Sequence, residues 1–460
     1  PPRAVWRRDR RFFDKPRPLL WHNGAMASMH RQLRRLAAPL ILANLSVPLL
    51  GMVDTAVVGH LEDPEPLGAV AIGATLFGFL YWGFGFLRMG TTGLTAQEVG
   101  GGGAVELVLL RGLLLAGLIG GGLVALQGLL GRIGLDLLAP GPEVRPLAET
   151  YFAIRIASAP AALIHYVVAG WFLGRENGRV PLLLMVLVNG LNAALDAVLV
   201  LGFGLGVAGV ATASVVAEYV AAGLGLFLVG RAGGLARPVA GWRAVGDGAA
   251  LRRMVAVNRD LFIRTLVLLG AFAFFTRQGA AQGEVILAAN AVLMNFQTLM
   301  AYALDGFAHA TEALTGRTVG AGDRDGLRRA VAAAAQWSVG LAAGFAAAYL
   351  LAGEYLIAML TGIPEVRETA ATYLLWAAAA PLVAVAGFLF DGVFIGATWT
   401  RELRNAMLVV VFGIYLPAWW LLMPAFGNHG LWAAMILFLL ARGVALGLLW
   451  PRRLAGVGAG

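Results

Sequence analysis

The sequence predicts an all-α polytopic membrane protein, with twelve transmembrane helices in two six-helix bundles related by a pseudo-twofold axis. Three observations carry this. Of the 460 residues, 59% are apolar and only 13% charged, with a mean hydropathy of +0.77. That is too few charges to coat two or three soluble domains. Apolar runs of roughly 18 or more residues recur along the whole chain, each long enough to cross a bilayer as a helix. Features of the first half also return in order in the second. Run length and the lack of period-2 alternation exclude a β-barrel.

The chain opens with a basic tail, residues 1–30, containing Arg3, Arg7, Arg8, Arg10, Arg11, Lys15 and Arg17. It has no apolar core and so is not a secretory signal. It is read as disordered or as preceding the native start, with Met26 or Met29 as alternative first residues. The predicted spans follow at 36–60, 67–97, 107–130, 146–173, 180–201, 207–230, 251–277, 284–316, 327–352, 367–396, 404–424 and 429–450. An N-lobe (31–230) and a C-lobe (251–453) are joined by a linker, 231–250, the least apolar interior stretch. A short tail, 454–460, ends the chain.

Loop charge orients the spans. Alternate loops hold Arg34/Arg35, Arg111, Arg175/Arg179, the linker arginines, Arg317/Arg324/Arg328/Arg329, Arg401/Arg404 and Arg452/Arg453. The others are acidic, mixed or nearly uncharged, among them Glu62-Asp63-Pro64-Glu65. Both termini are therefore expected in the cytoplasm, with the chain in the cell inner membrane. The net charge of +9 resides in loops between spans, so nucleic acid is not the expected partner.

The repeat is explicit in its small residues. Ala159-Pro160 precedes Gly170, Gly174 and Arg179; Ala380-Pro381 precedes Gly392, Gly396 and Arg401. Gly206-x-x-Gly209 is answered by Gly427-x-x-Gly430. Six spans per repeat give both halves the same orientation, a transporter arrangement with the substrate site between them.

Much chemistry is absent. There are no cysteines, no phosphate-binding loop, no H-E-x-x-H pair and no nucleophile elbow, and the six histidines are scattered. The chain is read as a non-enzyme without a cofactor, driven by an ion gradient.

Ionisable groups inside spans are costly and mark function. Asp54 follows Pro39 and Pro48, each of which removes a helix hydrogen bond, so its span is built to bend. Asn189, Asn192 and Asp196 share one helix face. Tyr151, Arg155, Ser158 and His165 form a polar stripe on the span before, and Ser214 and Glu218 lie one turn apart on the span after. Arg155 and Glu218 are read as structural partners. In the second half Tyr302, Asp305, His309 and Glu312 make another one-faced stripe. Asp391 stands alone in Phe388-Leu-Phe-Asp-Gly-Val-Phe and needs a wet cavity, a partner or a proton. Asp260 and Arg264 are expected to pair within their helix. The aromatic run Phe77 to Phe86 is read as lipid contact and packing rather than as a cation-binding surface.

Several of these stretches resemble the multidrug and toxic compound extrusion (MATE) transporters, and within them the DinF branch. They are Val53-Asp-Thr-Ala-Val-Val-Gly-His, Leu67-Gly-Ala-Val-Ala-Ile-Gly, Tyr81-Trp-Gly-Phe-Gly-Phe-Leu-Arg-Met-Gly-Thr-Thr-Gly, Tyr302-Ala-Leu-Asp-Gly-Phe-Ala, Asn258-Arg-Asp and Asp391-Gly-Val-Phe-Ile-Gly-Ala-Thr. The resemblance runs from about residue 30 to 450. It implies two bundles facing each other in a V, alternating access, and exchange of H+ or Na+ for lipophilic, often cationic compounds. It implies Asp54 as proton site, with Pro39 matching the family's bend proline. It implies a cation network of Tyr151, Asn192, Asp196 and Ser214, where Ser214 replaces the usual Thr. Na+ at Asp54, Asn192 and Asp196 is the alternative to H+. Asp391 matches one C-lobe acid of the NorM branch, and Asp305 and Glu312 are further C-lobe candidates. That branch's seventh-helix Glu has no clear counterpart here, which favours H+.

The leading function is therefore secondary multidrug antiport, with small lipophilic or cationic molecules and the bilayer as partners and the chain as a monomer. A lipid-linked-precursor flippase of the same superfamily predicts extra spans and a strongly cationic cavity, whereas the intramembrane charges read as mostly acidic. An intramembrane transferase predicts polar catalytic loops, whereas these loops are short.

Overall fold

The computed structural model describes residues 25–58, 64–235 and 241–458, and of residues 46–58 the backbone alone. These residues form helical rods and no strand. The N-lobe comprises α1 (Ala25–Val58), α2 (Glu65–Gly101), α3 (Val105–Ala125), α4 (Val144–Gly174), α5 (Arg179–Gly202) and α6 (Gly206–Arg231). The C-lobe comprises α7 (Gly248–Ala280), α8 (Glu284–Gly320), α9 (Arg324–Leu360), α10 (Pro364–Gly396), α11 (Thr400–Phe426) and α12 (Asn428–Ala455). Among the described residues ten of these, α2–α6 and α8–α12, are long and apolar enough to span a bilayer by composition alone. Helix α7 carries Arg252, Arg253, Arg259, Asp260 and Arg264 in its first half.

Residues 25–30, assigned above to the basic tail, are instead the first turns of α1. Met29, Leu33, Leu36, Ala37 and Leu40 bury one helical face, while Arg31, Arg34 and Arg35 stay exposed on the other. The interleaved arginines hide this stripe from a hydropathy count. Residues 1–24, Glu62, Asp63 and linker residues 236–240 lie outside the described residues. The linker ends where Asp247 caps α7, its carboxylate accepting from the Ala250 amide at 2.7 Å. Arg111 of α3 donates to the Val245 carbonyl at 3.2 Å and holds the linker to the N-lobe.

The helices are not all regular. In α4 a 3-10 turn at Ile156–Ser158 precedes Pro160, which has no amide hydrogen to give. A short helix, Gln127–Leu138, continues α3 after a break at Leu126. π-Helical segments follow Asp196 in α5 (Ala197–Gly202) and interrupt α11 (Val411–Tyr415). The backbone of α1 is helical through both Pro39 and Pro48.

The repeated glycines have a shared task. A Cβ at Gly170 or Gly174 on α4 would strike the carbonyl oxygens of Arg88 or Thr92 on α2. A Cβ at Gly392 or Gly396 on α10 would strike those of Ala308 or Glu312 on α8. Only glycine lets these backbones touch. The two lobes meet where α2 crosses α8, and there the contact is reciprocal: Gly100 lies on the Arg317 carbonyl and Gly320 on the Gln97 carbonyl. Residue i meets j while the equivalent of j meets the equivalent of i, which is the signature of a twofold-related interface.

This crossing lies at the arginine-rich face. Arg253 reaches Gln97, Arg453 reaches Glu402, Trp337 donates to His30 Nδ1 at 3.1 Å, and Gly458 lies against Gly322. The start of α1 and the end of α12 thus share one face.

Candidate functional site

In the N-lobe, α5 and α6 bring Asn192 and Ser214 together: the amide donates to the hydroxyl at 2.9 Å, with both side chains buried. Asp196 lies one turn further along the same face of α5, fully buried, where the helix loosens into its π segment. Helix α1 packs along α5, and Pro39 touches the position of Gly178 just before it. The side chains of Asp54 and Pro48 lie outside the described residues. Tyr151 is buried against Gly73 and Phe77 of α2, one turn before Arg155, whose guanidinium covers the same Phe77 ring. The structure thus joins Asn192 and Ser214 directly, and ties Tyr151 to a neighbouring cluster.

That cluster centres on one hydroxyl. Ser158 donates to the Arg155 carbonyl at 2.8 Å, shares a hydrogen bond of 2.7 Å with the Tyr81 hydroxyl and accepts from the Arg155 guanidinium. Arg155 lies 3.9 Å from Glu218, as expected of structural partners, and His165 Nδ1 lies 3.7 Å from the same carboxylate. The guanidinium also covers the rings of Phe77 and Tyr81 at about 5.5 and 5.4 Å.

The C-lobe answers one open point and corrects one expectation. Asp391 is not alone: Arg264 and Arg442 both donate to its Oδ2, the latter at 2.7 Å. Arg264 therefore does not pair with Asp260, which instead takes Arg404 at 2.7 Å and Arg259 at 3.1 Å. The cause is helix packing, since α7 turns Arg264 towards α10 and Asp260 towards α11. Within the membrane Arg88, Arg155, Arg264 and Arg442 stand opposite acids, so much of the acidic charge there is countered. Buried charges need such partners.

Glu312, 1% exposed, receives both nitrogens of Arg88 at 3.1 and 3.4 Å, a bidentate pair joining α8 to α2 across the lobe boundary. Asp305 and His309 are half-buried on the same stripe, and the Tyr302 carbonyl accepts from Asn44 of α1 at 3.1 Å. Arg88 and Arg442 are the site residues that sequence reasoning passed over. Their signal was an arginine within an apolar run, in Phe86-Leu-Arg-Met and Leu440-Ala-Arg-Gly.

The oxygens of Asn192, Ser214 and Asp196 suit a hard cation or a proton. Among the described residues no group of three or more His, Cys, Asp or Glu side chains is placed to hold a metal ion.

The MatE family model matches residues 39–198 and 262–420, one stretch in each lobe. The chain is 43% identical to DNA damage-inducible protein F of Escherichia coli, covering 93% of both chains. It is 28% identical to a probable multidrug resistance protein NorM of Xanthomonas campestris, over 90% of this chain and 92% of that one. In fold it matches the Vibrio cholerae MATE transporter VcmN in the bent form, with TM-score 0.85 and 21% identity over 95% of this chain and 99% of that one. With its two glycine-matched lobes and the twelve long helices of its described residues, this multi-pass membrane protein belongs to the MatE family of transporters.

Proposed function

We propose that the chain is a secondary antiporter of the inner membrane that exports lipophilic, mostly cationic compounds in exchange for H+, by alternating access between its lobes. The arginine-rich face, with both termini, would be cytoplasmic. The observation that carries this reading is the buried Asn192–Ser214 contact with Asp196 one turn away, on a helix lined by the one that bears Asp54. Asp54, Asp196, Asn192, Ser214 and Tyr151 form the coupling group in this proposal, with Pro39 and Pro48 letting α1 bend. A charged Asp54 requires water or polar partners, whereas a protonated one can enter apolar surroundings with its helix. Cargo and proton then compete, as exchange requires.

Of the C-lobe acids, Asp391 and Glu312 are held by arginines, and Asp305 is the one left to answer a proton. Na+ is the second reading, because the N-lobe group is rich in oxygen donors. The test is drug affinity against pH in the wild type and in Asp54→Asn. The wild type should bind better as pH rises and the mutant weakly at every pH. A mutant with the wild-type pH slope would remove Asp54 from the mechanism. Drug-evoked ion movement in proteoliposomes, with pH and Na+ gradients imposed separately, decides between the two ions.

A further inference from the structure

Two side-chain clusters bridge the lobes at the arginine-rich face, and they occupy equivalent places in the two repeats. In one, Gln97 of α2 donates to the Thr398 hydroxyl at 3.0 Å and to the Gly396 carbonyl at 3.4 Å, while Arg253 of α7 donates to its side-chain oxygen at 2.7 Å. In the other, Arg317 of α8 forms an ion pair with Glu176 and donates to Gln32 of α1 at 3.5 Å. Gln97 and Arg317 are the residues whose carbonyls take the reciprocal glycine contacts, so they are twofold mates. Glu176 and Thr398 are mates as well. Each follows the last glycine of its helix, and each holds the left-handed backbone usual for glycine at a helix end, with φ of 59° and 52°. Arg253 on α7 and Gln32 on α1 complete the correspondence.

The two clusters differ in chemistry. The Gln97 cluster has one guanidinium and no acid. In the Arg317 cluster a guanidinium meets a carboxylate, the two side chains being 13% and 16% exposed. Burial outweighs the pull of Arg317 and holds the Glu176 carboxyl above the usual carboxylate range, so the arginine opposite is what favours its charged form there. An ion pair largely shielded from water is screened less than an exposed one.

We propose that these clusters are twin clamps holding the lobes together at the arginine-rich face, and that the ionic one, Arg317–Glu176 with Gln32, governs how readily that face opens. Every contact in both clamps joins one lobe to the other, so all must break when the cavity turns to this side. The inference rests on alternating access between the lobes and is independent of which ion drives transport.

The chain contains no cysteine, so spin labels can be placed at will. Arg179→Cys and Arg401→Cys put one label on each lobe, at exposed equivalent positions of this face. Electron–electron distance measurement on the full chain in lipid nanodiscs reports how far the face has parted. Glu176→Gln should raise the wide-distance population about ten-fold, the loss of one shielded ion pair. Gln97→Leu should raise it about three-fold, the loss of neutral bonds. Exchanging the charges, Glu176→Arg with Arg317→Glu, should bring it back towards the wild type. The clamp alone fails if a pH step or an added drug widens the wild-type distances while Glu176→Gln leaves them unchanged. It also fails if the exchanged pair stays wide. If no variant and no condition widens them, the clamp and alternating access fail together.

Discussion

The two lobes use the same backbone contacts and opposite charges. Gly170 and Gly174 do for α4 on α2 what Gly392 and Gly396 do for α10 on α8. Yet where α4 carries Arg155 and α6 Glu218, α10 carries Asp391 and α12 Arg442. The N-lobe places a single guanidinium on its acid and leaves a separate group of carboxylate, amide and hydroxyl around Asp196. The C-lobe closes two guanidinia on one carboxylate. A glycine at a backbone crossing has no substitute, because any Cβ collides with a carbonyl. A buried ion pair has several arrangements, provided that each charge finds a partner. Duplicated helices can therefore keep their crossings while their polar groups diverge.

The largest expected effect tests the ion clusters. Asp391→Asn leaves two buried guanidinia without a counter-charge and should cost about 3–5 kcal/mol of stability. Glu218→Gln should cost about 1–2 kcal/mol, because Arg155 keeps Ser158 and Tyr81 and is partly exposed. Unfolding of the purified proteins in detergent measures both. Equal losses would mean that the lobes' clusters are energetically alike.

A smaller effect tests the shared crossings. Gly174→Ala and Gly396→Ala each force a methyl into a neighbouring backbone and should each cost about 1–3 kcal/mol. The two values should agree within about 0.5 kcal/mol of each other if the crossings are equivalent. A loss in one lobe without the other would break the symmetry that the glycines describe.

The smallest effect on stability, though not on function, tests the division of labour. Asp196→Asn should leave the unfolding midpoint nearly unchanged, within about 1 kcal/mol, and reduce transport at least about ten-fold. Asp305→Asn should reduce it less. Normal transport with unchanged pH dependence in Asp196→Asn would remove the N-lobe ion site.

Much of this was legible in one sequence. Length of run, positions of arginine in alternate loops and the repeated Pro-Gly-Gly-Arg order are properties of the chain as a string. They lead to spans, to one basic face and to two matched lobes. They do so because the bilayer sorts residues by hydropathy and length, and neither depends on neighbours. The same reasoning found Asn192, Asp196 and Ser214 from helical spacing. It also placed Glu312 on the stripe that meets the other lobe, without its partner.

What it left open was which charge meets which. Helical spacing offered Arg264 the acid four residues back, on its own helix; the fold gave it Asp391, far along the chain, and turned Asp260 towards Arg404. Arg88 and Glu312 pair only because α2 and α8 cross where glycines let them. Run length, loop charge and small-residue order are summed along the chain, and the sequence determined them by itself. Ion-pair partners depend on the angle and depth at which two helices cross, and that is decided by packing surfaces that exist only once both helices are in place.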